Sequence, residues 1–451
     1  MESEATKFLK GDKIAEGKTK IIWEDVDRED LTVIENKSDI TAFDDPNYTK
    51  QFKKKAVYAT TTTCRVFELL NKAGIPTSFI KQLSPTEFLA EKCDMIPLEV
   101  VVRRLAVGSC LERNPEFKKL KGQKPHRFHG LVVEFFLKTT HGQVSIGKKK
   151  INLDTPFKIV KKKKIYLEDP LIEDASQNEW NLLHPKKPRW SEESKLNRTI
   201  SADEIFPKND SILVIQLMSK IARQTFLLLE SAWGNLGYRL IDFKIEFGWT
   251  KFGHLVIGDV IDNDSWRLRD REFQEVSKQV FRDGGSLDEV EAKYGHVASM
   301  VSQFRLPKQA IVIWKGSPDD KSPEIPDIPG VVKVEIAMSG HKKTHGCLQK
   351  LEELQRDYPD GGVIVAPVGM SNGLAPTLSS HTTWPVIATP TTAKEFPEDV
   401  WSSLRLPSQN PMATILLDKN AVLFALNILA QKNPAAYMVR QLAIEELDKG
   451  Y

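Results

Sequence analysis

The last third of the chain carries four short apolar runs rich in β-branched residues, and this pattern does most to limit its fold. The runs are Gln309–Trp314, Val331–Met338, Gly362–Val368 and Pro385–Ala388, and the stretch Thr344–Arg356 between them has helical spacing. Strands that alternate with helices form parallel sheets whose faces are covered by the crossover helices. The pattern therefore predicts a three-layer α/β domain with a parallel sheet.

The residues before about 305 have a different, mixed pattern. After short strands early in the chain, the longer predicted elements are a helix at Lys54–Ala73, a strand at Glu99–Leu105, a helix at Ser211–Trp233 and a strand at Leu240–Phe247. A length of 451 residues suits two or three domains. We expect an α+β domain at 1–305 and the α/β domain at 306–451, which ends in two helices separated near Pro434.

The composition is that of an ordinary globular protein and excludes a disordered chain. Of the residues, 41% are apolar and 28% charged, and the formal net charge is +3. This balance gives no electrostatic reason to expect nucleic acid or a membrane as a partner, and no apolar run approaches the roughly 20 residues of a membrane span. The four cysteines are far apart without a CxxC pair, which favours a cytoplasmic protein over a disulfide scaffold or a zinc site.

A lysine-rich segment at about 139–189 interrupts the first domain. It holds Lys148–Lys150, Lys161–Lys164 and a cluster of prolines. A solvated loop insertion is the plain interpretation, and an anion-binding flap is the alternative that the charge density allows.

The segment Gly11–Lys20, GDKIAEGKTK, is the first candidate for a phosphate contact. It is not a P-loop, because five residues separate its glycines where four are required and no strand precedes it. A turn at Gly17 between two strands would instead let the backbone approach a phosphate, with Lys18 and Lys20 on one face of a strand. An exposed hairpin without a ligand is the alternative.

The second candidate is the acidic and basic row in DFKIEFG, at Asp242–Gly248. Asp242, Lys244 and Glu246 share one face of a strand, and such a row is costly to bury unpaired. A turn near residues 251–253 would bring Glu246 beside Asp259. Two adjacent carboxylates suit Mg²⁺ carried by a nucleotide, whereas a solvated hairpin is the bland alternative.

The third candidate is the edge of the predicted parallel sheet where its strands end. Open parallel sheets bind ligands at this edge, and the small polar segments Lys315–Asp320, Ser339–Lys342 and Gly369–Pro376 follow three of the strands. His341 is the one residue among them with a reference pKa near neutrality, about 6.5, so it is a candidate for proton transfer. A lone histidine is more often structural, but three converging loops favour a site.

Several long motifs in this order resemble those of a known family. They are EGKTK at Glu16–Lys20, SDITAFD at Ser38–Asp44, RRLAVGS at Arg103–Ser109, RNP at Arg113–Pro115, DFKIEFG, DVIDNDSWRL at Asp259–Leu268, SNGLAP at Ser371–Pro376 and DVWSSLRLPS at Asp399–Ser408. The chain resembles the animal bifunctional purine-biosynthesis enzymes, in which phosphoribosylaminoimidazole-succinocarboxamide (SAICAR) synthetase is fused to phosphoribosylaminoimidazole (AIR) carboxylase. The resemblance covers most of the chain.

For the first domain the resemblance implies an ATP-grasp-like fold that joins aspartate to a carboxylated ribotide with ATP and Mg²⁺. The residue roles that it implies are ATP phosphate binding by Gly17, Lys18 and Lys20, metal binding by Glu246 and Asp259, a catalytic position near the phosphates for Lys244, and ribotide binding by Asp39, Arg104, Ser109 and Arg267.

For the second domain the resemblance implies carboxylation of aminoimidazole ribotide by CO₂, and assembly into a homo-octamer. The implied roles are proton removal by His341, ribotide positioning by Lys342, Ser317 and Asp320, and CO₂ binding by Ser371, Asn372 and Gly373.

Three positions depart from the family pattern. Asp319 replaces a serine that meets a ligand phosphate, and two like charges about 4 Å apart repel by roughly 4 kcal/mol at an effective dielectric of 20. Met370 replaces an arginine, and Phe52–Lys55 replaces a glycine-lysine loop. The bifunctional enzyme is therefore weighed against a catalytically impaired paralogue that acts as an octameric binding or storage protein. A mixed case, with an active synthetase and an inactive carboxylase, is the third alternative.

Overall fold

A computed structural model describes residues 10–17, 19–41, 49–51, 54–120, 122–160, 163–167, 169–276 and 286–447, without the side chains of residues 39–41, 49–51, 163 and 287. The chain divides into two compact units, Met1–Phe304 and Arg305–Tyr451. This division lies one residue from the boundary that the sequence suggests.

The described strands of the first unit are β1 Lys10–Glu16, β2 Lys20–Asp25, β3 Leu31–Asn36, β4 Asp39–Thr41, β5 Thr49–Gln51, β6 Phe79–Gln82, β7 Glu87–Glu91, β8 Cys93–Leu105, β9 Arg127–Leu137, β10 Gln143–Ile146, β11 Lys149–Asn152, β12 Phe157–Val160, β13 Lys163–Tyr166, β14 Leu171–Ile172, β15 Glu179–Leu183, β16 Lys195–Ser201, β17 Arg239–Thr250, β18 Leu255–Ile257 and β19 Trp266–Arg269. Its α-helices are α1 Lys55–Lys72, α2 Ser109–Arg113, α3 Ala202–Ile205, α4 Ser211–Asn235 and α5 Leu287–Val301.

Two antiparallel sheets organise the first unit. The smaller has the order β1-β2-β3-β7-β6, and α1 packs against β3, β6 and β7. The larger has the order β16-β15-β14-β9-β8-β17-β18, with β19 also paired to β17, and α4 packs against β8, β9 and β17. Because α4 covers one face of the larger sheet, side chains that point away from α4 are the ones available to a site.

Helix α4 is the one helix in the described part of the chain that is long and apolar enough to cross a membrane. By its length and composition, α4 therefore contradicts the expectation that no apolar stretch approaches the length of a membrane span. More than half of the apolar stretch is buried, including Met218, Phe226 and Trp233. Its packing on the larger sheet makes α4 the core helix of this unit.

The lysine-rich segment is more ordered than the predicted solvated loop. The first part of the segment forms two hairpins, β10–β11 and β12–β13. Strands β14 and β15 then join the larger sheet, where Trp180 and Leu182 are buried. The backbone N–H groups of Thr139 and Asp169 each donate to the other residue's side chain, at 2.8 and 3.1 Å. These reciprocal bonds close the base of the two hairpins beside β9.

In the second unit the strands are β20 Gln309–Lys315, β21 Val331–Ala337, β22 Gly362–Val368, β23 Val386–Pro390 and β24 Ala413–Thr414, and the α-helices are α6 Thr344–Asp357, α7 Leu374–Ser379, α8 Trp401–Leu404, α9 Asp418–Leu429 and α10 Pro434–Leu447. The strands form one sheet, in the order β21-β20-β22-β23-β24, and every pairing is parallel. Each of the four apolar runs is a strand with bounds within two residues of the prediction.

Helices on both faces complete the three layers of the second unit. On one face Cys347 and Leu351 of α6 and Leu378 of α7 pack with Trp314 and Ile364 of the sheet. On the other face α9 packs against β22 and β23. The predicted α/β architecture and the pair of helices around Pro434 are therefore confirmed.

Candidate active sites

The β17–β18 hairpin brings Glu246 next to Asp259. Phe247 pairs with Ile257, and the N–H of Gly258 donates to the carbonyl oxygen of Glu246 at 3.0 Å. The connecting turn contains Gly253 with φ +78°, a conformation that favours glycine. The predicted hairpin therefore forms, and it places the two carboxylate-bearing residues at adjacent positions.

In the row formed by Asp242, Lys244 and Glu246 the two carboxylates are buried, and Lys244 is partly exposed but paired. The Lys244 Nζ atom lies 2.5 Å from Glu99 Oε1 and 3.1 Å from Glu246 Oε1. The Lys138 Nζ atom lies 2.6 Å from the second Glu246 oxygen. Burial by itself would raise the pKa of Glu246, but Lys244 and Lys138 outweigh it and lower the pKa to about 2. Glu246 therefore stays ionised.

Strand β2 brings Lys20 to the same carboxylates. Lys20 forms an ion pair with Asp259, and the turn before it is closed by the Gly17 N–H, which donates to the Lys20 carbonyl oxygen at 2.9 Å. Burial lowers the pKa of Lys20 to about 8, although the charge of Glu246 opposes this shift. Gly17, Lys20, Lys244, Glu246 and Asp259 thus converge, whereas the predicted Lys18 lies outside the described residues.

A cluster of arginines continues the row along β17. Arg103 lies opposite Asp242 on β8, and its Nη1 atom is 2.5 Å from Asp242 Oδ2. Arg267 on β19 contacts the same oxygen at 2.5 Å. A Cβ atom on Gly108, whose φ is +57°, would lie 2.7 Å from Arg267 Nη2. The glycine therefore lets the loop before α2 approach the Arg267 guanidinium.

Glu134 on β9 ties this cluster to α2. It accepts from Arg103 and Arg113 at 2.7 Å each and from Arg189 at 3.0 Å. Burial would raise the pKa of Glu134, but Arg103 and Arg113 lower it to about 2. Arg113 also donates to Ser109 Oγ at 3.1 Å. The ion pairs join four guanidinium groups to two carboxylates and leave an excess of positive charge beside Ser109.

The position of Arg104 does not support its predicted contact with the ribotide. Side chains alternate along β8, so Arg104 points to the face covered by α4. There its Nε and Nη2 atoms donate to Glu230 at 2.8 and 2.9 Å. Arg103, which the prediction passed over, faces the row of Asp242 instead. The alternation of β8 and its pairing with β17 were the signals that could have selected Arg103.

Two further predictions for the first unit fall partly outside the described residues. The backbone of Asp39 is in β4, paired with β5, but its side chain is not described. Phe52 and Lys53 are not described either. Lys54 is exposed just before α1, and the buried Lys55 lies 3.3 Å from Asp264 Oδ2.

In the second unit His341 lies against the loop that follows β22. His341 follows β21, and a Cβ atom on Gly373 would overlap its imidazole ring. Gly340 is also in close contact, since a Cβ atom there would lie 2.6 Å from Leu374 Cα. Glycine at 340 and 373 therefore permits the approach of the two loops. The structure brings the predicted His341 and Gly373 together at the carboxyl ends of the strands.

The loop after β20 ends at the same edge, because β20 lies between β21 and β22. The N–H of Ser317 donates to Asp320 Oδ2 at 2.8 Å, so these two predicted residues form one tight turn. Lys342 is exposed beside His341. The three predicted loops thus share one edge of the sheet.

Ser371 and Asn372 differ sharply in what their side chains can contact. Ser371 is exposed, whereas Asn372 is buried and fully engaged. The Asn372 side chain donates to Ser403 Oγ at 2.9 Å and accepts from the Ala375 N–H at 3.1 Å. This geometry fits a role for Asn372 in shaping the loop and not a side-chain contact with CO₂.

The two departures in this unit lie at the surface of the same loops. Asp319 is exposed between Ser317 and Asp320. Met370 is 74% exposed, with φ +51°, and its N–H donates to Thr392 Oγ1 at 3.0 Å. The backbone at both positions is held by its neighbours, so the substitutions change side-chain chemistry without breaking the loops.

Comparison with known proteins assigns both units. The SAICAR synthetase family profile matches residues 13–301, and the AIR carboxylase profile matches residues 327–445. The chain belongs to the bifunctional SAICAR synthetase and AIR carboxylase family. It is 32% identical to the probable multifunctional protein ADE2 of Caenorhabditis elegans, over 93% of this chain and 90% of that protein. It is 31% identical to the Homo sapiens bifunctional phosphoribosylaminoimidazole carboxylase/phosphoribosylaminoimidazole succinocarboxamide synthetase, over 94% and 91%.

A solved SAICAR synthetase in complex with ADP is 26% identical and covers 64% of this chain and 98% of its own, with a TM-score of 0.47. The family membership confirms the predicted ATP-grasp-like and parallel-sheet architectures and the assignment to purine biosynthesis, with a ligase and a lyase domain. The matches give no support to the impaired paralogue.

Proposed function

We propose that the first unit binds ATP and Mg²⁺ where β2 meets the β17–β18 hairpin. The observation that carries this proposal is the convergence of Lys20 and Lys244 on Glu246 and Asp259. When nucleotide binds, the two lysines would exchange their carboxylate partners for phosphate oxygens. Glu246 and Asp259 would then be available to bind the metal. Gly17 offers the backbone approach to a phosphate that a larger side chain would restrict.

The donor set fits Mg²⁺ held jointly by protein and nucleotide. Glu246 and Asp259 offer hard carboxylate oxygens, the ligands that Mg²⁺ prefers. Among the residues that the structure describes, no group of three or more potential metal ligands occurs. Phosphate oxygens and water would therefore complete the coordination. When bound, the ion supplies charge neutralisation on the transferring phosphoryl group.

The arginine cluster is suited to the phosphate of a ribotide. Arg103 and Arg267 share Asp242, and the excess positive charge lies beside Ser109 and Gly108, against which the Arg267 guanidinium packs. A phosphate dianion would balance that excess through charge-assisted hydrogen bonds. The carboxyl group of the bound ribotide would then lie along the row toward Lys244.

The reaction that this arrangement supports has two steps. The ribotide carboxylate attacks the γ-phosphorus of ATP, forming an acyl phosphate and releasing ADP. The amine of aspartate then attacks the acyl carbon, inorganic phosphate leaves, and a proton is lost from the new amide nitrogen. Lys244 stabilises the negative charge on the transferring group, which is the larger part of catalysis in phosphoryl transfer.

The second unit is proposed to carboxylate aminoimidazole ribotide at the edge shared by its three loops. The ring carbon attacks CO₂, and His341 removes the proton that remains on that carbon. Ser317, Asp320 and Lys342 would position the ribotide, while Ser371 and Gly373 would border the CO₂. The contact between His341 and Gly373 supports a common position for base and CO₂.

Two assays on the purified full-length chain test this function. Formation of the succinocarboxamide must require ATP, Mg²⁺, aspartate and the carboxylated ribotide, and carboxylation must proceed with bicarbonate without ATP. Absence of both activities in a folded protein that still binds ATP would overturn the enzymatic proposal in favour of a binding protein. Loss of one activity would overturn only the corresponding unit.

Assembly as a homo-octamer in the cytoplasm is part of the same proposal. Exposed apolar side chains on the second unit support self-association, namely Trp401, Leu404 and Phe424 at 47%, 54% and 41% exposure. Sedimentation or light scattering of the full chain, with a monomer mass of 51.1 kDa, tests the octamer.

A further inference from the structure

The loop at the end of the lysine-rich segment lies against α2, beside the arginine cluster of the first unit. The His184 N–H donates to the Ser194 carbonyl oxygen at 2.6 Å, which closes the loop at its base. Arg113 Nη1 donates to the Pro185 carbonyl oxygen at 2.7 Å, and the Arg189 N–H donates to the Arg113 carbonyl oxygen at 3.0 Å. These bonds hold both the backbone and the side chain of Arg113 against the loop. The loop therefore borders the arginine cluster.

Arg189 differs from the other arginines of the cluster in its exposure. Its side chain is 39% exposed, compared with 4% for Arg103, 0% for Arg113 and 23% for Arg267. Within the described part of the chain its guanidinium has one hydrogen-bond partner, Glu134 Oε1 at 3.0 Å, although a guanidinium carries five N–H donors. Glu134 would keep Arg103 and Arg113 if Arg189 turned away. Arg189 can therefore meet an incoming anion without leaving the buried carboxylate unpaired.

The charge of the cluster specifies the kind of anion. Its four guanidinium groups share the carboxylates of Glu134 and Asp242, which leaves two positive charges in excess. A phosphate monoester carries about 1.5 to 2 negative charges at pH 7. Arg189 and Arg113 both donate to Glu134 Oε1, and Arg113 also donates to Ser109 Oγ. One carboxylate oxygen and one guanidinium thus lie between Arg189 and the serine assigned to the ribotide.

We propose that Arg189 turns from Glu134 to the phosphate of the ribotide and is a binding residue of the first unit. This role rests on the proposed synthetase function, and it adds a residue that the family motifs do not imply. It also gives the lysine-rich segment a part in the site, through the last residue of that segment. The part is narrower than that of an anion-binding flap, because a single arginine, and not the lysines of the hairpins, meets the anion.

Kinetics of Arg189→Gln in the full-length chain test this proposal. Loss of a charge-assisted hydrogen bond should raise the KM for the carboxylated ribotide about tenfold or more, while kcat and the KM for ATP stay the same. Arg189→Lys keeps the charge without the planar fork and should restore part of the affinity. Arg65→Gln is the matched control and should leave the KM unchanged, because the Arg65 side chain is 45% exposed and pairs with Glu68 on α1.

A substrate without the phosphate separates a contact with that group from a structural role of Arg189. The carboxylated nucleoside keeps the ring and the ribose but lacks the group that Arg189 would meet. Arg189→Gln should therefore leave kcat/KM for the nucleoside unchanged, since the two deletions remove the same interaction. Losses of equal size with ribotide and nucleoside would overturn the proposal, as would an unchanged KM for the ribotide.

Binding measured by calorimetry distinguishes a failure of this proposal from a failure of the synthetase function. A chain that binds the carboxylated ribotide without turning it over contradicts only the synthetase function, and Arg189→Gln should still weaken that binding about tenfold or more. Equal affinities of the unmodified chain and Arg189→Gln would overturn only the role of Arg189. Absence of ribotide binding by the unmodified chain would overturn both.

Discussion

The two candidate sites are built on opposite physical principles. In the first unit the carboxylates Glu246, Asp242 and Glu134 are buried, and each accepts from two or more cations. In the second unit the site lies on exposed loops, and His341 depends on close backbone contact with Gly373 more than on ion pairs. A single change in the first site leaves a buried charge without its partner, whereas a change in the second can remain local.

Two of the three departures from the family pattern lie in the second unit, and the third, at Phe52–Lys55, lies in the first. Asp319 and Met370 both lie on exposed loops of the second unit. Asp242, Glu246, Arg103 and Arg267 persist in a network where unpairing a buried charge costs about 3–5 kcal/mol. The same reasoning predicts that substitutions in the second site change activity without unfolding, and that those in the first site change both.

The largest expected effect is loss of carboxylation in His341→Asn. Removing the general base lowers carboxylase activity by about 10²–10⁴-fold. Melting behaviour and synthetase activity remain unchanged, because the residue is exposed and lies in the other unit. The matched control is His345→Asn, an exposed histidine four residues along the chain. Equal losses of carboxylase activity in both variants would show that His341 is not the general base.

Lys244→Met is expected to lower synthetase activity by about 10²–10³-fold, the scale found for loss of one preorganised charge-stabilising group. The variant also removes the cation shared by Glu99 and Glu246, so the free energy of unfolding of the first unit falls as well. Lys251→Met, in the exposed turn of the same hairpin, is the control. Normal synthetase turnover in Lys244→Met would exclude Lys244 from the reaction. Carboxylase activity of the same preparation shows whether the second unit is still folded and active.

Glu134→Gln should destabilise the first unit by about 3 kcal/mol at neutral pH, since three arginines lose their shared carboxylate. The pKa of Glu134 in the folded protein is about 2, below its ordinary 4.5. Its stabilising contribution is therefore complete above pH 4.5 and is lost as the pH falls toward 2. Urea denaturation at several pH values measures this, with hydrogen exchange in β9 to identify the unit.

The control for that experiment is Glu193→Gln, whose carboxylate is 75% exposed and pairs with Lys187. It should leave the unfolding free energy nearly unchanged, because an exposed ion pair is screened by solvent and contributes little to stability. A pH dependence as steep in Glu134→Gln as in the unmodified chain would contradict the assignment to Glu134.

Alternation and turn residues were enough to predict much of this structure. The apolar runs of the second unit gave strands with nearly correct bounds, and Gly253 allowed the hairpin that joins Glu246 to Asp259. Residue choice within a motif was harder. Arg103 and Arg104 are neighbours with equal charge, and only the pairing of β8 with β17 and the packing of α4 separate them.

Elements that depend on long-range pairing were also missed. The lysine-rich segment looked like a loop because its strands are short and separated by lysines and prolines. Strand β14 nevertheless joins the larger sheet, where Leu171 pairs with Phe136 of β9. The inward orientation of Asn372 depends on Ser403, which is distant in sequence. The recruitment of β14 has no local signal, whereas the orientation of Asn372 has a local part in the Ala375 N–H, from which its side chain accepts a hydrogen bond.

The affinity for nucleotide should depend on pH through Lys20. Its pKa of about 8 in the free protein means that its charge is lost as the pH rises from 7 to 9. A polyanion binds the protonated amine better, so affinity for ADP falls by up to about tenfold over that range. Lys20→Arg, which stays charged, removes the dependence. Titration calorimetry measures both proteins, and an identical pH profile would exclude Lys20 as its source.

The smallest expected effect is that of Asp319→Ser, which tests whether the second site tolerates departures from the family pattern. The Asp319 side chain is exposed, so its repulsion of a ribotide phosphate is screened to about 1 kcal/mol, well below the value for a partly buried pair. The variant should therefore lower the KM for the ribotide about fivefold in the carboxylase assay and leave kcat and unfolding unchanged. High salt should shrink this difference in KM, because added ions screen the repulsion that remains between the exposed Asp319 carboxylate and the phosphate. An unchanged KM at low salt would mean that the phosphate does not approach residue 319, and that the ribotide is held elsewhere along the edge that His341 shares with Gly373.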